Sequence, residues 1–103
     1  MLLVTTETIS GKELQHLGLV QGNVVNTKDI SSDFRAAWRT ITGGEINDYT
    51  DLLRESRAIA TERMVAEANA LGADAIVCVR YATSDIMDSA SEVMVCGTAV
   101  KFI

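Results

Sequence analysis

The last two predicted strands of this chain are apolar on both faces, and this feature limits most strongly how the chain can fold. Residues 73–79 (ADAIVCV) and 93–96 (VMVC) do not alternate apolar and polar side chains. A strand that faces water on one side normally does alternate. Because the helices of so short a chain can cover only one face of a sheet, we expect a second copy of the chain to cover the other.

A long helix is predicted immediately before these strands. Good helix formers dominate the segment, no proline interrupts it, and Gly72 is well placed to end it. Asn47 or Asp48 can cap its first turn, and a helix of about 22 residues would be roughly 33 Å long. We expect Arg63 and Glu67 to add a few tenths of a kcal/mol as an i,i+4 pair on the solvated side. The stripe at helical spacing consists of Leu53, Arg57, Ala60, Met64, Ala68 and Leu71.

The first half of the chain predicts two strands and a shorter helix. Leu2–Thr6 and the valine-rich Gly18–Thr27 are typical of strands, and Gly22 indicates a bulge or bend. Ser32–Thr42 carries apolar residues at helical spacing. The order strand, strand, helix, helix, strand, strand predicts an α+β fold with a mostly antiparallel sheet. We expect residues 1–103 to form one domain.

Charge and composition narrow the classes of partner and compartment. The net charge of −5 disfavours nucleic acid and anionic membranes. No apolar run approaches the roughly 20 residues that span a bilayer, and the N-terminus lacks the features of a signal peptide. We therefore expect a cytoplasmic protein whose cysteines are reduced.

The two cysteines are the main candidates for chemistry. A hairpin centred on Met87 would place Cys78 directly opposite Cys96, whereas a slip of one residue would put them on opposite faces. Two facing thiolates could hold a soft or borderline ion such as Cu(I), Zn²⁺ or Hg²⁺, with Met94, His16 or a neighbouring subunit completing the site. The alternative, favoured by the usual behaviour of cysteine in apolar strands, is that both are structural. A redox switch is a third, weaker hypothesis, and no CxxC spacing is present.

Several segments together resemble a known family. VTTETISG, GLVQGNVV, the Gly43-Gly44 pair followed by Tyr49, EANALGADAIV and GTAVK are similar to the YbjQ family of small bacterial proteins of uncharacterised function, whose label is "putative heavy-metal-binding". The resemblance covers essentially the whole chain. It implies a dodecin-like α+β subunit, with one long and one short helix, that assembles as a ring-shaped homopentamer, with stacking into a decamer as a further option.

The chain departs from that family at the residues of most interest. The family more often carries glycine at the position of Cys78 and a small residue at the position of Cys96, so its metal label does not transfer to these cysteines as a motif. Two hypotheses for function therefore stand. One is a module that binds a metal ion or small ligand between subunits, and the other is a structural scaffold without metal. We expect no enzyme, because no nucleophile, base and orienting group occur together.

Overall fold

The computed structural model describes residues 1–27, 47–87 and 90–103. These residues form an α+β fold, as predicted, in which a helix packs on a four-stranded mixed sheet of strand order β1-β3-β4-β2. β1 pairs with β3 in parallel, and the other two pairings are antiparallel. The short helix predicted over Ser32–Thr42 lies outside the described residues. The elements are β1 (Leu2–Leu3), β2 (Leu14–Thr27), α1 (Asn47–Ala70), β3 (Ala75–Met87) and β4 (Ala90–Phe102).

Helix α1 confirms the prediction of a long helix and of its glycine stop. It spans 24 residues, and Gly72 adopts a left-handed φ of 76°. The Gly72 N–H donates to the Asn69 carbonyl at 3.0 Å, and the Ala73 N–H donates to the Ala68 carbonyl at 3.1 Å. This pair of bonds is the Schellman arrangement, which satisfies carbonyls that a helix end leaves free.

The buried side of α1 differs from the predicted stripe at two positions. Arg57 and Leu71 are exposed, whereas Ser56 is 2% exposed and lies in a row with three fully buried residues. The row has a strict four-residue spacing, which places its members above one another on one side of a helix. Ser56 is tolerated there because its hydroxyl donates to the Leu52 carbonyl and accepts from the Asn26 amide. The row is Ser56, Ala60, Met64 and Ala68.

Gly22 has a different role from the predicted one. The irregularity in β2 lies between His16 and Gly18, while Gly22 pairs regularly with Val95. A Cβ atom built on Gly22 would overlap the Ala60 carbonyl oxygen and would lie 2.7 Å from the Met64 backbone nitrogen. The absence of a side chain therefore allows the backbone of α1 to approach β2 closely.

The sheet has two faces with different covers. On the helix face, α1 packs against a core that includes Val20, Ile76 and Val95. On the opposite side, which we call the outer face, Ala75, Val77 and Val100 form a second buried cluster. We expected a second copy of the chain to cover this whole face. For this cluster the expectation is wrong, because the chain itself covers it, through Val4, Ile9, Leu14, Cys78 and Phe102.

Candidate functional site

Cys78 lies at a bulge in β3, which a regular hairpin would not contain. The pairing of β3 with β4 shifts between Val77 and Arg80, and Cys78 has a φ of 57°. A left-handed residue at the first position of a bulge is usually glycine, because a Cβ atom is strained in this conformation. The Cys78 N–H donates to the Thr6 carbonyl at 3.0 Å. Its half-buried side chain packs on the outer-face cluster.

Cys96 does not lie opposite Cys78, so the predicted register is wrong. Met87 pairs with Ala90, so the hairpin is not centred on Met87, and the β3 partner of Cys96 is Arg80. Val95 belongs to the core beneath α1, so the half-buried Cys96 points to the outer face by strand alternation. Both free thiols therefore share the outer face, but on offset positions of neighbouring strands.

Arg80 is the neighbour that the wrong register concealed. It is the cross-strand partner of Cys96. Its Nη1 donates to the Thr5 carbonyl at 2.9 Å and to the carbonyl of the preceding residue, Val79, at 2.8 Å. Arg80 thus holds the N-terminal segment against β3 beside the thiols. No single-sequence pattern marks this arginine, because its partner depends on where the hairpin turns, and Met87 pairs with Ala90 rather than lying at the centre.

His16 shares the outer face with the cysteines but lies away from them. It pairs with Val100, four residues along β4 from Cys96, and is exposed. At about 3.3 Å per residue, this separation along the strand is roughly 13 Å. Consistent with this spacing, the part of the chain that the structure describes contains no group of three or more His, Cys, Asp or Glu residues that could hold a metal ion.

The outer face is open around Cys96. Val20 and Val24 of β2 pack on the helix-face core, so the residues between and beside them point to the outer face. Of these, Leu19 is 70% exposed and Val25 is 49% exposed. We call this region the open patch: Leu19, Gln21, Val25, Met94, Cys96 and Thr98.

A shallow depression lies at the other end of the hairpin, beside α1. It holds about 330 Å³, and most of its lining residues are polar. The carboxylate of Glu92, one of the lining residues, accepts a hydrogen bond from the Asn23 amide at 3.1 Å. The polar lining residues are Thr83, Ser84, Asp85, Ser91 and Glu92.

Across residues 1–27, 47–87 and 90–103, no helix is both long enough and apolar enough to cross a membrane.

The fold is similar to that of a solved structure. A crystal structure of a protein of unknown function from Pediococcus pentosaceus, assigned to the DUF74 family, superposes with a TM-score of 0.70 and 14% sequence identity. The match covers 100% of this chain and 98% of that chain. At this identity the likeness supports the fold alone.

Close sequence relatives cover the full length of the chain. A UPF0145 protein of Alkaliphilus metalliredigens is 50% identical over 103 residues, which is 100% of both chains. A UPF0145 protein of Pseudothermotoga lettingae is 53% identical over 102 residues, covering 98% of this chain and 96% of the relative. A sequence model of the YbjQ family, described as "Putative heavy-metal-binding", matches residues 1–103. The chain therefore belongs to the YbjQ family, and the resemblance seen in its segments is confirmed.

Proposed function

We propose that this protein is the subunit of a homo-oligomeric module that binds a soft metal ion or a small ligand where subunits meet on the outer face. The observation that carries the proposal is the placement of two free, half-buried thiols on the face that exposes Leu19 and Val25. A ring of five copies, as the family resemblance implies, is one assembly that would cover this face. The proposal assigns the chain no catalytic role.

The donor set decides what kind of metal site is compatible with the chain. Thiolates prefer soft ions such as Cu(I) or the borderline Zn²⁺. A structural zinc site needs four ligands, and the described residues of one subunit offer no group of three. The offset of Cys78 from Cys96 further disfavours a closed site within one hairpin. With ligands from residues 1–27, 47–87 and 90–103 alone, a thiol site must therefore use a low-coordinate ion or take ligands from a second subunit.

The open patch supports assembly through apolar burial. Leu19 is 70% exposed, although large apolar side chains usually gain about 1.5–3 kcal/mol when they are fully buried. Half-buried Met94, Cys96 and Thr98 lie beside it on β4. A second subunit placed here would bury these side chains and enclose the Cys96 thiol. Oligomerisation and ligand binding would then depend on one surface.

The test measures how much metal the protein contains with and without its two thiols. Protein purified without chelator should contain about one soft ion per subunit, measured by elemental analysis against protein concentration. Cys78→Ser combined with Cys96→Ser should remove the ion, whereas His16→Ala should leave most of it in place. Separate Cys78→Ser and Cys96→Ser variants show whether both thiols bind.

The scaffold hypothesis gives the opposite result. Its support is the lack of a three-ligand group in the described part of the chain. In that case the purified protein contains no stoichiometric metal, and added Zn²⁺ or Cu(I) does not raise the melting temperature, as it would for an ion bound to the folded state. The double-serine variant would then assemble like the unmodified protein.

A further inference from the structure

Two charged side chains of α1 bind the backbone of a strand instead of one another. Arg63 and Glu67 were expected to form a pair on the solvated side of the helix. In the structure, the Gln21 N–H donates to the Glu67 Oε1 at 3.2 Å. The Arg63 Nη1 donates to the Asn23 carbonyl at 2.7 Å. The helix therefore supplies one acceptor and one donor to β2.

These bonds are made on the unpaired side of an edge strand. β2 is the last strand of the described sheet, and its other side pairs with β4 over its whole length. Alternate residues of an edge strand direct their N–H and C=O groups away from the sheet. Gln21 and Asn23 are two such residues, so their backbone groups are available to any incoming strand unless something binds them.

The sequence of the strand supplies little protection against pairing, and its one irregularity lies near its start, between His16 and Gly18. β2 is 14 residues long, and its sequence LQHLGLVQGNVVNT contains no Asp, Glu, Lys, Arg or Pro. Natural edge strands usually avoid association by such residues or by being short. Long, uncharged, valine-rich segments without proline pair readily with identical segments. The occupant that this edge fits best is therefore β2 of a second copy, because every copy carries the same edge.

We propose that Arg63 and Glu67 form an edge cap that prevents β2 of one copy from pairing with β2 of another. The cap occupies the Gln21 N–H and the Asn23 carbonyl in the middle of the strand. An incoming strand must displace both charged groups before it forms bonds there. The device supplies from the helix the charges that the strand lacks. It does not depend on the proposed metal or ligand function, since it concerns the sheet edge and not the outer face.

The test removes both side chains and measures assembly size. Arg63→Ala with Glu67→Ala should produce species larger than the unmodified assembly, with at least a twofold rise in weight-average mass at high concentration, because each exposed edge can pair with another. Sedimentation velocity over a range of concentrations measures this change. Arg57→Ala with Glu62→Ala is the matched control. It removes the same charges from exposed positions of α1 and should leave the mass unchanged.

Two further arms keep the outcome decisive. Arg63→Lys with Glu67→Gln retains a donor and an acceptor, so this variant should keep the unmodified mass. If circular dichroism shows that the double variant does not fold, the single variant Glu67→Ala replaces it in the test. The hydrogen-exchange rate of the Gln21 amide, measured in dilute protein, should then be higher than in the unmodified protein. An unchanged mass for folded Arg63→Ala with Glu67→Ala, or an equal rise in the matched control, overturns the proposal.

Discussion

Replacing Gly22 with alanine tests the close approach of α1 to β2. The new Cβ atom would overlap the Ala60 carbonyl oxygen and meet the Met64 nitrogen at 2.7 Å. Both are backbone atoms, which cannot rotate away as a side chain can. The helix must therefore move outward by about 1 Å, and a gap of this size loses a quarter to a half of the local dispersion energy.

The expected cost follows from what the helix buries there. Ala60, Met64 and Ala68 are fully buried against the sheet, and overpacking in a core costs about 1–3 kcal/mol. We expect about 3 kcal/mol, the upper end, because the clash is with backbone. In a domain of this size, 1 kcal/mol shifts the melting temperature by about 4–8 °C. The melting temperature should therefore fall by about 12 °C or more.

The assay is thermal and urea unfolding at one fixed protein concentration, since assembly alters apparent stability. Gly11→Ala is the control. Gly11 has a φ of 76° and nothing within 4 Å of an added Cβ atom, so this change should cost only about 1 kcal/mol of backbone strain. A Gly22→Ala protein as stable as Gly11→Ala would refute the packing argument.

Three further predictions concern local structure. Cys78→Val should destabilise the protein by about 1–2 kcal/mol in urea unfolding, because a β-branched residue is strained at a φ of 57°; Cys96→Val, in extended strand, should change stability by less than half as much. Ser56→Ala should cost about 1 kcal/mol, because the Asn26 amide loses its acceptor; an unchanged urea midpoint would contradict this. Arg80→Ala should speed hydrogen exchange of the Cys78 amide, because the segment at Thr5 loses its side-chain anchor; unaltered exchange would show that the anchor is unimportant.

The helix was the part of the fold that the sequence predicted best. Its period, its helix-forming residues and Gly72 all indicate the same element, and consistent local signals of this kind are usually reliable. The mostly antiparallel sheet followed from the order of strands. The exact buried row did not, because Ser56 is polar and becomes acceptable only through the Asn26 side chain on β2.

The candidate site was predicted less well, because the hairpin is not centred on Met87, which pairs with Ala90, and because Cys78 lies at a bulge. Residue spacing alone assumes a regular ladder, and one irregularity changes every later pairing in a hairpin. The departure from a family glycine at this position was a usable signal, since glycine there suits a left-handed backbone. The partial cover of the outer face by Val4 and Ile9 was missed for another reason. Those residues lie in irregular chain, whose path has no sequence period.

The most direct test of the central claim is native mass spectrometry of protein purified without chelator. The claim is that other copies cover the open patch around Leu19, which is 70% exposed in one subunit. We expect a closed multiple of the chain mass that survives dilution, with any bound ion measured in the same spectrum. Leu19→Lys, which places a charge on the patch, should reduce this species to smaller ones. A protein that is monomeric at all concentrations would contradict the account.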